Sequence, residues 1–176
     1  MNHTHPALAA SRSRVLHVGC GGDCLPDWID CEETRLDIDP KVKPDVVASM
    51  TNMGEIGEFE IVYSSHALEH LHLHEVKIAL KEFHRVLGDG GRAMVIVPDL
   101  EDARPTSEVL FNSPAGPVTG LDLFFGMQSL VAGNPYMAHH YGFVSSTLEA
   151  ELLAAGFRAA VVKRLPCFNL FAVGVK

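Results

Sequence analysis

Two groups of residues in this chain have types and spacings that could do chemistry. The first is Val15-Leu16-His17-Val18-Gly19-Cys20-Gly21-Gly22-Asp23, followed one crossover later by Leu36-Asp37-Ile38-Asp39-Pro40. An apolar run into Gly-x-Gly-Gly reads as a buried strand ending in a tight turn. Gly19 and Gly21 let the backbone approach a ligand where a side chain would collide with it. Asp37, at the tip of the next strand, can accept hydrogen bonds from ribose hydroxyls. Together they describe a cradle for a nucleotide-type cofactor. A dinucleotide site wants a third glycine where this chain has Cys24, and Pro26 follows almost at once. A long first helix with its N-terminus on a pyrophosphate is therefore not expected, and NAD is disfavoured. The cradle suits a nucleoside without phosphates.

The second group is rich in histidine. His66-Ala67-Leu68-Glu69-His70 matches His-x-x-Glu-His, an inverted zinc-peptidase pattern. A zinc hydrolase using His66 and His70 would place both on one helical face. It would also need a third protein ligand and an open position for water. The pattern here sits at a strand exit, just before Leu73 begins a helix, so no metal site is expected. Further on, Phe124-Phe125-Gly126-Met127-Gln128 and Met137-Ala138-His139-His140-Tyr141-Gly142-Phe143 combine aromatics with polar tips. His139, with His70 second, is the candidate general base. The plainer reading is a lid that packs through Phe124, Phe125 and Tyr141. His72 and His74 read as solvated residues at a helix start.

The elements that must position these groups are an alternation of apolar and amphipathic runs. Strands are expected at about 14–18, 34–38, 45–48, 59–64 and 92–97, apolar on both faces as in a parallel sheet covered by helices. Leu73, Val76, Leu80, Phe83 and Leu87 recur at helical spacing, with Gly88 ending the helix and Asp89-Gly90-Gly91 turning into the fifth strand. Pro98 closes that strand. A long connection, about 99–141, follows, with a short helix expected over 119–130. Ser146-Thr147-Leu148-Glu149 reads as a capping box opening a helix that stops at Gly156. Runs at 159–164 and 168–175, joined by a short link through Pro166, pair as a hairpin.

The sequence has 176 residues, 47% of them hydrophobic, which suits one domain with one core. Residues 1–13 read as a loose lead-in and 14–176 as the domain, with the lid as an insertion. The formal net charge of −8 disfavours nucleic acid as an electrostatic partner. No apolar run approaches the roughly 18 residues of a membrane span, and the N-terminus lacks a signal-peptide core. Cys20, Cys24, Cys31 and Cys167 form no Cys-x-x-Cys pair, so a reduced, cytoplasmic chain is expected.

The glycine turn resembles the first motif of class I S-adenosylmethionine-dependent methyltransferases. The stretches 36–40, 65–71, Arg85-Val86-Leu87-Gly88-Asp89-Gly90-Gly91 and Ala155-Gly156-Phe157 agree with the small type 11 branch of that family. The resemblance implies an α/β fold: a Rossmann-like, seven-stranded, mostly parallel sheet with an antiparallel C-terminal hairpin strand. It implies S-adenosylmethionine as cofactor, its methionine part against Gly19, Cys20 and Gly21, its ribose on Asp37 and its adenine beside Ile38. Ser49-Met50 stands where the family usually has an acid for the adenine, so Met50 packing and backbone contacts would hold that ring. His66 falls where the family touches the sulfonium. His17 replaces the usual acid in the first strand. The implied reaction is in-line methyl transfer to a small-molecule acceptor; the alternative is a non-catalytic module that only binds the cofactor.

Overall fold

The computed structural model describes residues 12–23, 25–26 and 30–176. Of the expected lead-in only Arg12 and Ser13 fall within this range, and Cys24 lies outside it. Seven strands form one sheet: β1 (Ser13–Val18), β2 (Cys31–Asp37), β3 (Val46–Val47), β4 (Phe59–Ser65), β5 (Leu87–Pro98), and the last two, Ala159–Leu165 and Asn169–Val175. A separate hairpin, β6 (Val109–Ser113) and β7 (Gly116–Thr119), lies between β5 and that last pair, which are therefore β8 and β9. The order across the sheet is β3-β2-β1-β4-β5-β9-β8. The pairs joining β3, β2, β1, β4 and β5 are parallel, while β9 runs antiparallel to both β5 and β8. The expected fold is the observed one.

Helix α1 (Leu73–Val86) packs on this sheet through Val76, Leu80 and Phe83, all fully buried, with Ala79 and Val86 beside them. Its N-terminus is closed by Glu75, whose carboxylate accepts the His72 N–H at 2.9 Å. The helix ends one residue before Leu87, which is already extended and pairs with Phe59. Strand β5 therefore absorbs the glycines 88–91 that the sequence assigns to a turn. The ladder compensates with a register shift between Phe59 and Ile61. Backbone room explains the glycine at 91, since a Cβ there would lie 2.8 Å from the Gly88 carbonyl oxygen.

The connection after β5 is more structured than its composition suggests. The β6–β7 hairpin is one unexpected element. The expected single helix over 119–130 is two, α2 (Gly120–Phe125) and α3 (Gln128–Val131). Thr119 and Asp122 cap α2 reciprocally. Gly126 stops it at φ +81°, where a Cβ would lie 2.2 Å from the Met137 carbonyl oxygen. The last helix, α4 (Ser145–Ala154), has its N-cap at Val144, two residues before the expected cap at Ser146. Thr147 closes it instead: its hydroxyl accepts the Val144 N–H at 3.1 Å. A Thr hydroxyl three residues beyond Val144 reaches that donor, whereas Ser146 and Glu149 lie too far into the helix.

Candidate functional site

The cradle forms where β1 and β2 end side by side. Leu16 and Val18 are fully buried, and the chain then turns at Gly19 with φ +66°. The N–H groups of Gly19 and Cys20 both reach the Leu36 carbonyl oxygen, at 2.9 and 3.2 Å. Asp37 ties the two strand ends together. One carboxylate oxygen accepts the Gly21 N–H at 2.8 Å and the other the Asp39 N–H at 2.8 Å. Each oxygen keeps a second lone pair for an outside donor. Arg35 supports the turn from the same strand by donating to the Gly21 carbonyl oxygen at 2.6 Å.

Glycine is required at 19 for two reasons. The backbone is left-handed there, and a Cβ would sit 2.6 Å from the Ala67 Cβ. The same contact presses the segment after β4 against the turn. Met50 reaches the turn from the other side, its terminal methyl 3.5 Å from that Cβ position. Ser49 donates or accepts at Thr51 Oγ1, 2.8 Å away, and Ile38 is 46% exposed at the rim. Cys20 is buried, and burial pushes its thiol above the ordinary range, against the partial opposition of the Arg35 charge. His17 is 2% exposed, with Nδ1 2.8 Å from Glu33 Oε1 and its ring edge-on to Tyr63. The histidine in place of the usual acid is thus held by an acid from β2.

The histidine group lies just beyond Ala67. His66 leaves β4 with φ +50° and donates its N–H to the Ile96 carbonyl oxygen. A one-turn 3-10 helix, Leu68–His70, follows. His66 therefore precedes the helical turn and does not share a helical face with His70, so the zinc-peptidase arrangement is not the one formed. His66 instead turns Nδ1 toward Glu69 Oε1, 3.3 Å away. Burial would lower the His66 pKa, but the Glu69 carboxylate outweighs it and holds the imidazole above its ordinary value.

His70 and His139 do come together, although 68 positions separate His70 from the carbonyl that orients it. Their ring centroids are 5.1 Å apart. His70 Nδ1 lies 3.1 Å from the Ala138 carbonyl oxygen, and His139 Nδ1 lies 2.9 Å from that of Leu123. The connection is latched over this pair: the His140 and Tyr141 N–H groups donate to the Glu69 carbonyl oxygen at 2.8 and 3.2 Å. Burial pushes His139 below the ordinary histidine pKa despite the nearby Glu69 charge. Tyr141 lies edge-on against fully buried Phe143, as a packing element should, whereas Phe125 is 57% exposed, its ring 6.4 Å from that of Phe124. His72 and His74 are exposed and stacked on each other.

Sequence reasoning missed Glu69 as a site residue. It is 1% exposed, and its carboxylate faces the histidine pair. Burial alone would raise its pKa, but His66, then His70 and His139, more than offset this and keep it below the ordinary value. Its signal lay inside His-x-x-Glu-His, read there only as a spacer between two histidines. Glu33, the partner of His17, carries no sequence signal of its own.

Residues 16–95 match the family model described as methyltransferase domain. No curated protein matches the sequence significantly. Among solved structures, human N-acetylserotonin methyltransferase, in complex with S-adenosylmethionine, superposes with a TM-score of 0.66 at 15% identity, over 94% of this chain and 48% of that one. An S-adenosylmethionine-dependent methyltransferase from Mesorhizobium loti gives 0.65 at 17% identity, over 94% of this chain and 92% of its own. The Burkholderia thailandensis 1,6-didemethyltoxoflavin-N1-methyltransferase, bound to 1,6-didemethyltoxoflavin and S-adenosylhomocysteine, gives 0.63 at 15% identity, over 94% and 72%. The chain spans about half the length of the human enzyme and of several other similar structures. No helix among the described residues is long and apolar enough to cross a membrane. In its sheet order and its antiparallel last pair the chain has the fold of these S-adenosylmethionine-dependent methyltransferase structures, and residues 16–95 carry the match to the methyltransferase-domain family model.

Proposed function

We propose that the chain binds S-adenosylmethionine in the cradle and transfers its methyl group to a small-molecule acceptor held beneath the connection 99–141, which acts as a lid. The observation that carries this reading is Asp37. Its carboxylate is fixed at the end of β2 by two backbone N–H groups and retains lone pairs for the ribose hydroxyls. The methionine part then lies against Gly19, Cys20 and Gly21, and the adenine lies between Ile38 and Met50. His66 stands at the sulfonium end.

The sulfonium is already a strong electrophile, so the protein mainly supplies approach and alignment. The acceptor attacks the methyl carbon in line with the leaving sulfur, which keeps the C–S electron pair. A hydroxyl acceptor must also lose its proton. His139 suits that step, because its Nδ1 proton is committed to the Leu123 carbonyl and its Nε2 is left unprotonated. His70 is oriented in the same way by Ala138. Free thiols at Cys20, Cys31 and Cys167 fit a reducing, cytoplasmic setting. The net charge of −8 fits a small molecule better than nucleic acid.

Calorimetry with S-adenosylmethionine and S-adenosylhomocysteine tests the reading. Saturable binding of both, weakened by Asp37→Ala, is the expected result; no binding of either overturns it. One observation favours a second reading, a module that binds the cofactor without turnover. Ser49 stands where the resemblance implies an acid for the adenine, and its hydroxyl is tied to Thr51. Cofactor binding with no methyl transfer to any of a broad panel of hydroxyl, amine and carboxylate acceptors would select it.

A further inference from the structure

A general base needs one ring nitrogen, yet three groups converge beneath the connection. Glu69 is 1% exposed, and neither of its carboxylate oxygens has a hydrogen-bond partner among the described residues. A buried carboxylate without partners is unfavourable unless a positive charge meets it. His70 and His139 face it, and one ligand atom from each of the three residues lies within 4.8 Å of the others. A carbonyl oxygen can only accept, so the carbonyls of Ala138 and Leu123 fix the proton of each imidazole on Nδ1. Both Nε2 lone pairs are left free. A hydrogen bond at the other ring nitrogen is how proteins orient histidines that ligate metals.

We propose that Glu69, His70 and His139 form a binding site for one divalent transition-metal cation. Two imidazole nitrogens and one carboxylate oxygen suit Zn²⁺, Fe²⁺ or Mn²⁺, whereas Mg²⁺ and Ca²⁺ prefer all-oxygen sites. The three ligands leave coordination positions open. On the methyl-transfer reading above, on which this consequence rests, an acceptor hydroxyl fills one of them. The cation lowers the hydroxyl's pKa, the proton passes to water, and the oxygen lone pair takes the methyl group from sulfur. His139 is then a ligand, and the acceptor class is a hydroxyl compound. The cation would also tie the connection to the end of β4, because His139 belongs to the first and Glu69 and His70 follow the second.

The competing account of Glu69 is His66, 3.3 Å from Oε1 and with its side chain 51% exposed, acting as a simple counter-charge. Titrating the chelator-stripped full-length chain with Zn²⁺, and separately recording the visible spectrum with Co²⁺, distinguishes the two. We expect one tight equivalent of Zn²⁺ per chain and the absorption bands of nitrogen-ligated Co²⁺. His70→Ala and His139→Ala should each weaken Zn²⁺ by about 100-fold, the upper end of what losing a mere supporting group costs a metal site. The exposed double variant His72→Ala/His74→Ala and the single variant His66→Ala should leave Zn²⁺ binding intact. Circular dichroism checks that each variant folds, and the wild-type titration and Co²⁺ spectrum stand without any variant. No stoichiometric uptake by the wild type overturns the proposal. So does tight binding that survives His139→Ala, or that disappears with His72 and His74. Because the metal titrations contain no S-adenosylmethionine, failure of the cation site and failure of the cradle are separate results.

Discussion

The cradle and the histidine site lie on opposite sides of one contact, Gly19 against Ala67, and they are built on different plans. The cradle is made mostly of backbone: N–H groups of a glycine turn, a carbonyl at Leu36 and one short acid, all within 21 residues of one another in the chain. The histidine site is made of side chains from two distant segments, oriented by carbonyls that belong to the connection. A backbone site is set by local sequence and should tolerate much change around it. A side-chain site assembled from afar depends on the packing that brings its halves together.

The largest effect should come from attacking that packing. Phe143 is fully buried in the core, and its carbonyl accepts the Leu100 N–H, which ties the two ends of the connection to each other. Phe143→Ala should cost about 3–5 kcal/mol in urea unfolding. A loss below about 1 kcal/mol would mean the connection is a loosely attached cover, far from the 3–5 kcal/mol of a buried aromatic. Next comes His139→Ala. Turnover on an identified acceptor should fall by about 100-fold or more, while cofactor affinity stays within about twofold. A parallel fall in cofactor affinity would erase the distinction between the two regions.

Asp37→Ala probes the other side. It removes the proposed ribose acceptor and the tie between Gly21 and Asp39, and calorimetry should show S-adenosylmethionine weakened by about 10- to 100-fold. Unchanged affinity would place the cofactor elsewhere. The smallest effect should be at Glu82, which lies in the family-matched region but away from both sites. Arg85 pairs with it at 2.6 Å, and it accepts the Met53 N–H at 3.0 Å. Arg85 above all, with help from Met53 and against burial, holds the Glu82 carboxyl below its ordinary value. Its contribution is therefore complete above the unfolded-state carboxylate pKa of about 4.3 and is lost as pH falls through the lower folded value. Glu82→Gln should cost about 1 kcal/mol at pH 7, and the difference should shrink in melts at progressively acid pH. A difference that grows on acidification would contradict the assigned ion pair.

How much was legible follows the same division. Strand β1, the glycine turn and Asp37 could be read because each is a short-range pattern: apolar burial, a left-handed turn, an acid at fixed distance. The closing hairpin was legible for the same reason. The start of β5 was misread, because glycines that usually mark a turn here permit close backbone approach within a strand. The cap of α4 lies two residues before the expected one, at Val144 rather than Ser146, since Ser-x-x-Glu and Val-x-x-Thr overlap and only the backbone path selects between them. The β6–β7 hairpin was hidden in a stretch whose Pro and Gly content resembles irregular loop.

The sequence by itself determined the α/β alternation, the glycine turn after β1 and an acid, Asp37, at the end of β2, because these depend on periodicity and on what glycine and aspartate can do locally. Tertiary structure alone decided that Glu69 is buried with no hydrogen bond to either carboxylate oxygen among the described residues, that His66 and His70 do not share a helical face, and that His139 lies beside His70. Those facts depend on how a long connection folds back over the sheet. Its path is set by many weak contacts summed over the core, and no local pattern of residues encodes that sum.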